Sequence, residues 1–359
     1  MKKHIVLKVA LILLAAVVLT IGGYLLYAVT AYHRLPDTME LDIVSDTGET
    51  ARSDAEYTLV SWNIGFGAYT DDYTFFMDGG KSSRAASRES VIKNISDMAD
   101  RIKSYGADFV LIQEVDCDAT RTYHVDEKQL LSDALNGFCS VFAINYDSPY
   151  LFYPLNEPHG KSLAGLMTLS KYSMSGSTRI SLPVETGFSK FLDLDRCYSV
   201  TRVPLGDGGE ICLYNVHLSA YTTDGTIATE QLKLLTEAMT SDAESGCYVI
   251  CAGDFNKDLL GDSSEYFGVK GDEYTWAQPI DTSFFDRRLR LVAPFDEQSP
   301  VASCRLPDKP YEKGVSFVLT VDGFIVSDNV TVIESRVIDE AFKYSDHNPV
   351  IIRFKLAER

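Results

Sequence analysis

The stretch YVICAGDFNKDLL, residues 248–260, decides how the rest of the sequence is interpreted. Its first half is short, apolar and partly β-branched, and Gly253 follows it, a pattern that predicts a buried strand rather than a helix. Side chains two positions apart in a strand point to the same side, so Asp254 and Asn256 are predicted to face one space beyond the strand. Burying either group without partners would cost about 1–3 kcal/mol, which favours a functional site. A simple turn is the alternative, because Gly, Asp and Asn are also turn residues.

Other predicted strands end in polar residues in the same way. These strands include YTLVSWNI, DFVLIQEV, ICLYNVHL and VSFVLTVDGFIV, and the segment KYSDHN precedes one more strand. Their polar residues are Asn63, Glu114, Asn215, His217, Asp322, Asp346 and His347. Each of them alone has an ordinary interpretation as a turn, core or surface residue. Catalytic groups of α/β proteins collect at strand ends, where the sheet holds them in place, so the set together predicts one site.

The body of the chain is predicted to be a single α/β domain over residues 57–359. Two segments, RAASRESVIKNISDMADRIKSYG and ATEQLKLLTEAMTSDA, have apolar residues at helical spacing and alternate with the strands. No repeat and no second linker interrupts this region. The fold class that follows is α/β.

Composition limits the functions that are open to the protein. The 359 residues are 45% hydrophobic, enough for a sizeable core, and 51 acidic residues against 33 basic ones give a formal net charge of −18. Such a surface repels phosphate backbones, so general affinity for nucleic acid is not expected, although a bound cation could still make that contact. The seven cysteines show no pair at two-residue spacing, and we expect Cys212, Cys247 and Cys251 to be small buried hydrophobic residues.

The first 34 residues are predicted to form a membrane anchor. Positions 9–32 form a run without a charged residue, and Lys2, Lys3 and Lys8 precede it. This run is long enough for a helix to cross a hydrocarbon layer of about 30 Å. The positive-inside rule then predicts a single-pass protein of the cell membrane with its body outside the cytoplasm. A cleaved signal peptide, with AVTA at 28–31, is the alternative. The polar residues 35–56 are predicted to be a linker.

The residue types at the strand ends agree on a chemistry. Glu, Asp and Asn offer the oxygen ligands that Mg²⁺, Mn²⁺ or Ca²⁺ prefer, and no Cys/His cluster predicts zinc. Histidines beside them can move protons or donate hydrogen bonds to a developing phosphorane. This combination indicates metal-assisted hydrolysis of a phosphoester.

The ordered motifs SWNI, IQEVD, NVHLS, GDFN, VDGFIVS and SDHNPV resemble the endonuclease/exonuclease/phosphatase superfamily. This superfamily includes pancreatic-type deoxyribonucleases, neutral sphingomyelinases, inositol-polyphosphate phosphatases and abasic-site endonucleases. The resemblance runs from about Tyr57 to Phe354 and implies a four-layer α/β sandwich, with two mixed sheets packed face to face and helices outside.

The resemblance also implies roles for the matched residues. Asn63, Glu114 and Asp346 would form the metal site. Asp254 would orient or deprotonate the attacking water, and Asn256 would hold the water or the phosphate.

The two histidines receive roles in the same way. His347 would contact the scissile phosphate and be oriented by Asp322, and His217 would stabilise the phosphorane or assist the leaving group. Gly323 stands where many members have an aromatic residue, which is a departure from the family pattern.

The substrate is less well defined by the sequence. Arg84, Arg88 and Arg121 are predicted phosphate contacts, with Asn215 as a further substrate contact, while a solvated helix face is the alternative for Arg84 and Arg88. The sequence thus predicts a divalent-metal phosphoesterase, more precisely a phosphodiesterase, tethered outside the membrane. Its substrate would be a phospholipid headgroup, an inositol phosphate or nucleic acid, and no protein partner is implied. The alternatives are an extracellular endo/exonuclease and a non-catalytic binding module of the same fold.

Overall fold

The structure, a computed structural model, describes residues 2–32, 34–185, 195–220, 226–269 and 276–358. Within these ranges the α-helices are α1 (Lys2–Ala31), α2 (Arg88–Ser104), α3 (Glu127–Ala134), α4 (Thr226–Glu244) and α5 (Ser263–Phe267). The strands are β1 (Thr38–Glu40), β2 (Glu56–Asn63), β3 (Phe109–Ala119), β4 (Cys139–Asp147), β5 (Ser162–Ser170), β6 (Gly176–Ser181), β7 (Cys197–Pro204), β8 (Glu210–His217), β9 (Tyr248–Asp254), β10 (Leu289–Val292), β11 (Cys304–Arg305), β12 (Val318–Leu319), β13 (Asp322–Ser327), β14 (Val330–Val337) and β15 (Val350–Leu356).

Two large mixed sheets form the body. The first sheet has the order β1-β6-β7-β8-β9-β13-β10, and the second has the order β14-β15-β2-β3-β5-β4, with β11 and β12 as a separate short pair. In the first sheet β8 runs parallel to β9, and in the second β2 runs parallel to β3. The carboxyl ends of each parallel pair therefore lie at one edge of its sheet.

The sheets pack face to face with helices on both outer faces. Leu59 and Phe109 of the second sheet meet Leu213, Ile250 and Phe324 of the first in the core between them. The adjacent residues in each strand point outward, because side chains alternate along a strand. On those outer faces α2 covers the second sheet and α4 covers the first. The predicted four-layer α/β sandwich is thus confirmed.

The N-terminal region is attached to the body. Helix α1 is long and apolar enough to cross a membrane. Within residues 35–56, which were predicted to be a linker, β1 pairs with the edge strand β6, and isolated bridges join Val44 to Ser140 and Ala51 to Leu205. This segment therefore follows the surface of the body instead of extending away from it.

The cysteines agree with the expectation of buried hydrophobic residues. All seven are free, and Cys212, Cys247 and Cys251 are buried. Cys212 and Cys247 do lie close to Glu210 in a group that could hold a metal. The guanidinium of Arg202 occupies that position, with Nη1 2.7 Å from Glu210 Oε1 and 3.2 Å from Cys212 Sγ, so a cation is already present there.

Candidate active site

The predicted site residues meet beyond the carboxyl ends of β2, β8 and β9, beside Glu114 in the middle of β3. A cavity of about 480 Å³ opens there, within the range of small-molecule sites. Six of the predicted catalytic and metal-binding residues line it: Glu114, His217, Asp254, Asn256, Asp346 and His347. Asn63 and Asp322 are buried and contact this group through hydrogen bonds to Asp254 and His347.

Asp254, at the end of β9, is the centre of the group. Its Oδ2 accepts a hydrogen bond from Asn63 Nδ2 at 3.1 Å and lies 3.5 Å from His217 Nε2 and 3.7 Å from His347 Nε2. Burial raises the pKa of this carboxyl to about 7, although the nearby His347 opposes the shift. The preceding residue, Gly253, allows β8 to approach, because a Cβ there would lie 1.9 Å from the Val216 carbonyl oxygen.

Asn256 is held firmly next to Asp254. Its backbone N–H donates to Asp254 Oδ1 at 2.8 Å, and its φ of 48° is unusual for a residue other than glycine. The side-chain amide donates to the Leu218 carbonyl at 2.8 Å and accepts from Trp276 Nε1 at 2.9 Å. Both amide atoms of Asn256 thus have protein partners, which fix the position of this residue in the cavity wall.

Glu114 is directed into the cavity by an irregularity of β3. The register against β5 shifts between Ile112 and Val115, and Glu114 has a positive φ of 56°. Such bulges re-aim side chains beside active sites, and the strained backbone is typical of a functional position. The Glu114 side chain is 27% exposed, and its Oε1 accepts from Asn63 Nδ2 at 3.0 Å.

Asn63 therefore donates its amide to two carboxylates. Its Oδ1 accepts from the Gly65 N–H at 3.0 Å. The predicted metal ligation by Asn63 through oxygen would require rotation of the amide and loss of these contacts.

His347 forms the predicted contact with Asp322. Its Nδ1 lies 2.8 Å from Asp322 Oδ2, which also accepts from Ser303 Oγ at 2.8 Å. Trp62 Nε1 donates to the His347 carbonyl at 2.9 Å and holds the backbone. Burial favours the neutral imidazole, but Asp322, with smaller contributions from Cys304 and Asp254, outweighs it and raises the pKa of His347 well above its usual value.

His217 has the opposite electrostatic environment. Burial, together with the positive charges of Arg196 and His347, lowers the pKa of His217 well below its usual value. The cavity thus holds one cationic and one neutral imidazole, on either side of Asp254. Such a division separates a hydrogen-bond donor from a group that can exchange a proton.

Asp346 completes the acidic part of the site. Burial raises its pKa to about 7, and the negative charge of Glu114 contributes in the same direction although His347 opposes it. Gly65 leaves space beside it, since a Cβ at this position would lie 3.1 Å from Asp346 Oδ1. Helix α2 holds both flanking loops, because Asn94 Nδ2 donates to the carbonyls of Gly67 at 3.1 Å and Tyr344 at 2.7 Å.

These carboxylates fit a divalent cation. Glu114, Asp254 and Asp346 converge in one cavity, and the pKa values of the two aspartates are raised chiefly because burial disfavours their charged form. Oxygen donors without thiolates are the ligand set of Mg²⁺, Mn²⁺ or Ca²⁺. Glu114, Asp254 and Asp346 are therefore candidate ligands, and Asp254 also belongs to a group with Asp322 and His347 whose ligand atoms lie within 4.8 Å of one another and could hold a metal.

The predicted substrate contacts separate into two groups. Arg121 lines the cavity, with its guanidinium 3.8 Å from the centre of the Phe66 ring and paired with Asp116 at 2.8 Å. Arg84 donates to the Pro158 carbonyl and Arg88 is an exposed residue at the start of α2, and neither lines the cavity.

Asn215 does not reach the cavity either. It is fully buried between the sheets, where it accepts from Gln113 Nε2 at 2.8 Å and donates to the Met167 carbonyl at 3.0 Å. The prediction that it contacts substrate is therefore wrong, because its hydrogen-bonding groups connect the two sheets.

Several residues of the site were missed from the sequence. Ser303 contacts Asp322, Cys304 Sγ lies 3.5 Å from His347 Nε2, and Arg305 and Arg196 add cationic groups to the cavity wall. Arg305 is fully buried, and its backbone N–H donates to the Asp346 carbonyl at 2.9 Å. The segment SCR has no strand pattern or motif that could have indicated these contacts.

The layered fold is of the phosphoesterase type. The sequence model of the Endonuclease/Exonuclease/phosphatase family matches residues 60–347, and the chain belongs to this family. Members of the family hydrolyse phosphoester bonds and generally use a divalent metal. Among curated proteins, no sequence matches significantly.

Solved structures show the same fold. An endonuclease/exonuclease/phosphatase from Beutenbergia cavernae superimposes with a TM-score of 0.58 at 17% identity, covering 84% of this chain and 72% of that chain. ANGEL2, a 2′,3′-cyclic phosphatase, gives a TM-score of 0.55 at 15% identity, and the superposition covers 88% of this chain and 98% of ANGEL2. The human Nocturnin catalytic domain gives a TM-score of 0.52 at 18% identity, and the superposition covers 88% of this chain and 97% of that domain.

Proposed function

We propose that the protein is a divalent-metal-dependent phosphodiesterase, anchored in the cell membrane by α1 with its body on the outer side. The observation that carries this proposal is the position of Asp254. One buried carboxylate oxygen lies within 3.7 Å of the Nε2 atoms of both His217 and His347, in a cavity that also contains Glu114 and Asp346. A non-catalytic binding module has no evident need for this set.

The residues divide the work of hydrolysis among them. Asp254 accepts the proton of the attacking water, for which a pKa of about 7 is well matched near neutral pH. Cationic His347 donates a hydrogen bond to a phosphoryl oxygen, and its Asp322 contact holds the ring in place. Neutral His217, whose Nε2 lies 3.5 Å from Asp254 Oδ2, passes the proton that Asp254 receives from water on to the leaving oxygen.

Charge neutralisation comes from two sources. A divalent cation held by Glu114 and Asp346 would supply Lewis-acid stabilisation of the phosphoryl oxygens when bound. Arg121 and Arg305 line the same cavity, but the Arg121 guanidinium is paired with Asp116 and the Arg305 guanidinium donates to the carbonyls of Thr70 and Tyr73. The divalent cation and the cationic His347 would therefore carry most of the charge compensation for a phosphate in a chain whose overall charge is −18.

The placement outside the membrane is part of the proposal. Helix α1 begins with lysines at positions 2 and 3, and the following body has no second helix, within the described ranges, that is long and apolar enough to return across the membrane. The positive-inside rule then assigns the N-terminus to the cytoplasm.

The test is hydrolysis of bis-p-nitrophenyl phosphate by the full-length protein with Mg²⁺, Mn²⁺ or Ca²⁺. We expect a chelator to abolish activity reversibly, and Glu114→Gln and Asp254→Asn each to reduce kcat by about 10³-fold or more. The melting temperature of both variants should be retained, since each substitution removes repulsion between acids. Glu237→Gln, at an exposed position of α4, is the matched control and should retain activity. Activity that survives chelation and both substitutions would disprove the proposal.

A further inference from the structure

The active-site cavity extends to the N-terminal helix. Part of its wall is apolar and aromatic, with Phe75, Phe76, Leu151, Phe152 and Tyr153 among the lining residues. Tyr24 of α1 also lines it. A single cavity thus joins the phosphoester site to the helix that we propose crosses the membrane.

Helix α1 packs against the body through its last turns. Tyr24 Oη donates to the Tyr150 carbonyl at 3.2 Å, and the Tyr24 ring meets the edge of Phe152 with centroids 5.0 Å apart. One turn later Ala28 is buried against Leu151. These contacts fix the position of the cavity relative to the helix.

The docked turns also define where the membrane ends. Residues 2–23 of α1 are all exposed, and Tyr24 is the first that the body covers. At 1.5 Å per residue, these residues extend over roughly 33 Å, close to the ~30 Å hydrocarbon thickness. Tyr24 and Tyr27 then lie at the outer interface, the level at which tyrosine is enriched in membrane proteins. The mouth of the cavity is therefore at the membrane surface.

A loop beside this mouth exposes large apolar side chains. We define the apolar loop as residues 151–155, in which Phe152 is 50% exposed, Tyr153 69% and Leu155 84%. Contiguous exposed apolar groups at a membrane boundary are typical of an interfacial contact. The loop is adjacent to Tyr24, so the same surface can meet the bilayer while α1 crosses it.

We propose that the substrate is a membrane phospholipid, whose phosphodiester reaches Asp254 while its hydrocarbon chains remain among the apolar loop and the exposed face of α1. This inference rests on the proposed function. Free inositol phosphates have no apolar part to occupy the aromatic wall, and nucleic acid, whose bases could stack there, has no apolar chains to place against the apolar loop and α1. In the reaction, the water oxygen bonds to phosphorus, one P–O ester bond breaks, and the proton that water loses goes through the site to the leaving alcohol oxygen.

The experiment compares two substrates for one preparation. The full-length protein is reconstituted into vesicles of phosphatidylcholine, phosphatidylglycerol, phosphatidylinositol and sphingomyelin with Mg²⁺, and lipid products are measured by mass spectrometry. Bis-p-nitrophenyl phosphate is the soluble substrate. We expect the wild type to hydrolyse at least one vesicle lipid, and Phe152→Ala to lower that rate.

Leu155 gives the sharpest variant because it does not line the cavity. Leu155→Glu removes an interfacial contact, so vesicle-lipid hydrolysis should fall by about tenfold or more while hydrolysis of the soluble diester stays within about twofold. Ile333→Glu, on β14 with 42% exposure, is the matched control and should change neither rate.

The outcomes distinguish this inference from the proposed function. Chelator-sensitive hydrolysis of the soluble diester, or of DNA or RNA, without cleavage of any vesicle lipid would overturn the lipid assignment alone. Equal losses on both substrates for Leu155→Glu would also overturn it. Failure to hydrolyse every substrate would overturn the proposed function and the lipid assignment together.

Discussion

The substitution Asp322→Asn tests the chemistry of the site most directly. In the structure Asp322 Oδ2 lies 2.8 Å from His347 Nδ1, both residues are buried, and the carboxylate is the main group that raises the pKa of the histidine against the effect of burial. An asparagine preserves the shape and can still accept from Ser303, but it removes the negative charge. The imidazole then loses its counter-charge and its preferred tautomer.

The size of the effect follows from this geometry. A hydrogen bond to a charged group contributes about 1.5–3 kcal/mol, and a buried pair is at the upper end. If about 3 kcal/mol is lost in the transition state, kcat should fall by about 10²-fold. KM should change little, because substrate binding still has Arg121 and the rest of the cavity. The alkaline limit of activity should move to lower pH, because the pKa of His347 falls when Asp322 no longer raises it.

The assay is a mutant cycle on bis-p-nitrophenyl phosphate, with kcat, KM, pH profile and melting temperature for Asp322→Asn, His347→Ala and the double variant. His347→Ala should be at least as damaging as Asp322→Asn, and the double variant scarcely worse than His347→Ala, since residues that act as a unit are not additive. Asp108→Asn, at the opposite end of the second sheet, is the control and should keep its kcat. Additive losses, or normal kcat with only a lower melting temperature, would refute the pairing.

Three further predictions concern stability and topology. Arg121→Met should lower the free energy of unfolding by about 3–5 kcal/mol, because it leaves buried Asp116 without the guanidinium that is paired with it. In thermal denaturation the double variant Arg121→Met/Asp116→Leu should recover part of this loss, and an Arg121→Met variant as stable as the wild type would contradict the argument. Burial lowers the pKa of His159 to about 3, so the unfolded chain, with a pKa of about 6.5, binds the proton first as the pH falls. The free energy of unfolding should therefore decrease by about 2 kcal/mol between pH 7 and pH 5 because of His159, and the His159→Gln variant should not show this decrease. An equal pH dependence of stability in the wild type and the variant would rule out this contribution. Protease added to intact cells should digest the body, and full protection of the body would refute its position outside the membrane.

Much of the fold could be predicted because its signals are local. Leu59 and Phe109 alternate with outward-facing neighbours at the strand period of two residues. The apolar residues of α2 and α4 recur at the helical period of 3.6 residues. Both periods can be recognised within a single segment of the sequence. The ends of these strands also identified Asp254, at the end of β9, and His347, which precedes β15, since polar groups next to an apolar strand must be accommodated at a sheet edge.

The sequence did not show which strand-end groups reach the cavity. Asn215 and His217 point to the same side of β8, as predicted. At the position of Asn215, however, the second sheet covers this side of the strand. Only the packing of the two sheets determines where the covered region ends and the cavity begins.

The sequence by itself determined the α/β class, the membrane-length helix and the residues around Asp254, whose patterns depend on neighbouring positions, while the four layers were implied by the family resemblance. The tertiary structure alone placed Ser303 and Arg305 at the site and Tyr24 in the wall of its cavity. Those contacts join segments far apart in the chain, and no periodicity or motif encodes them, because they depend on how complete elements pack against one another.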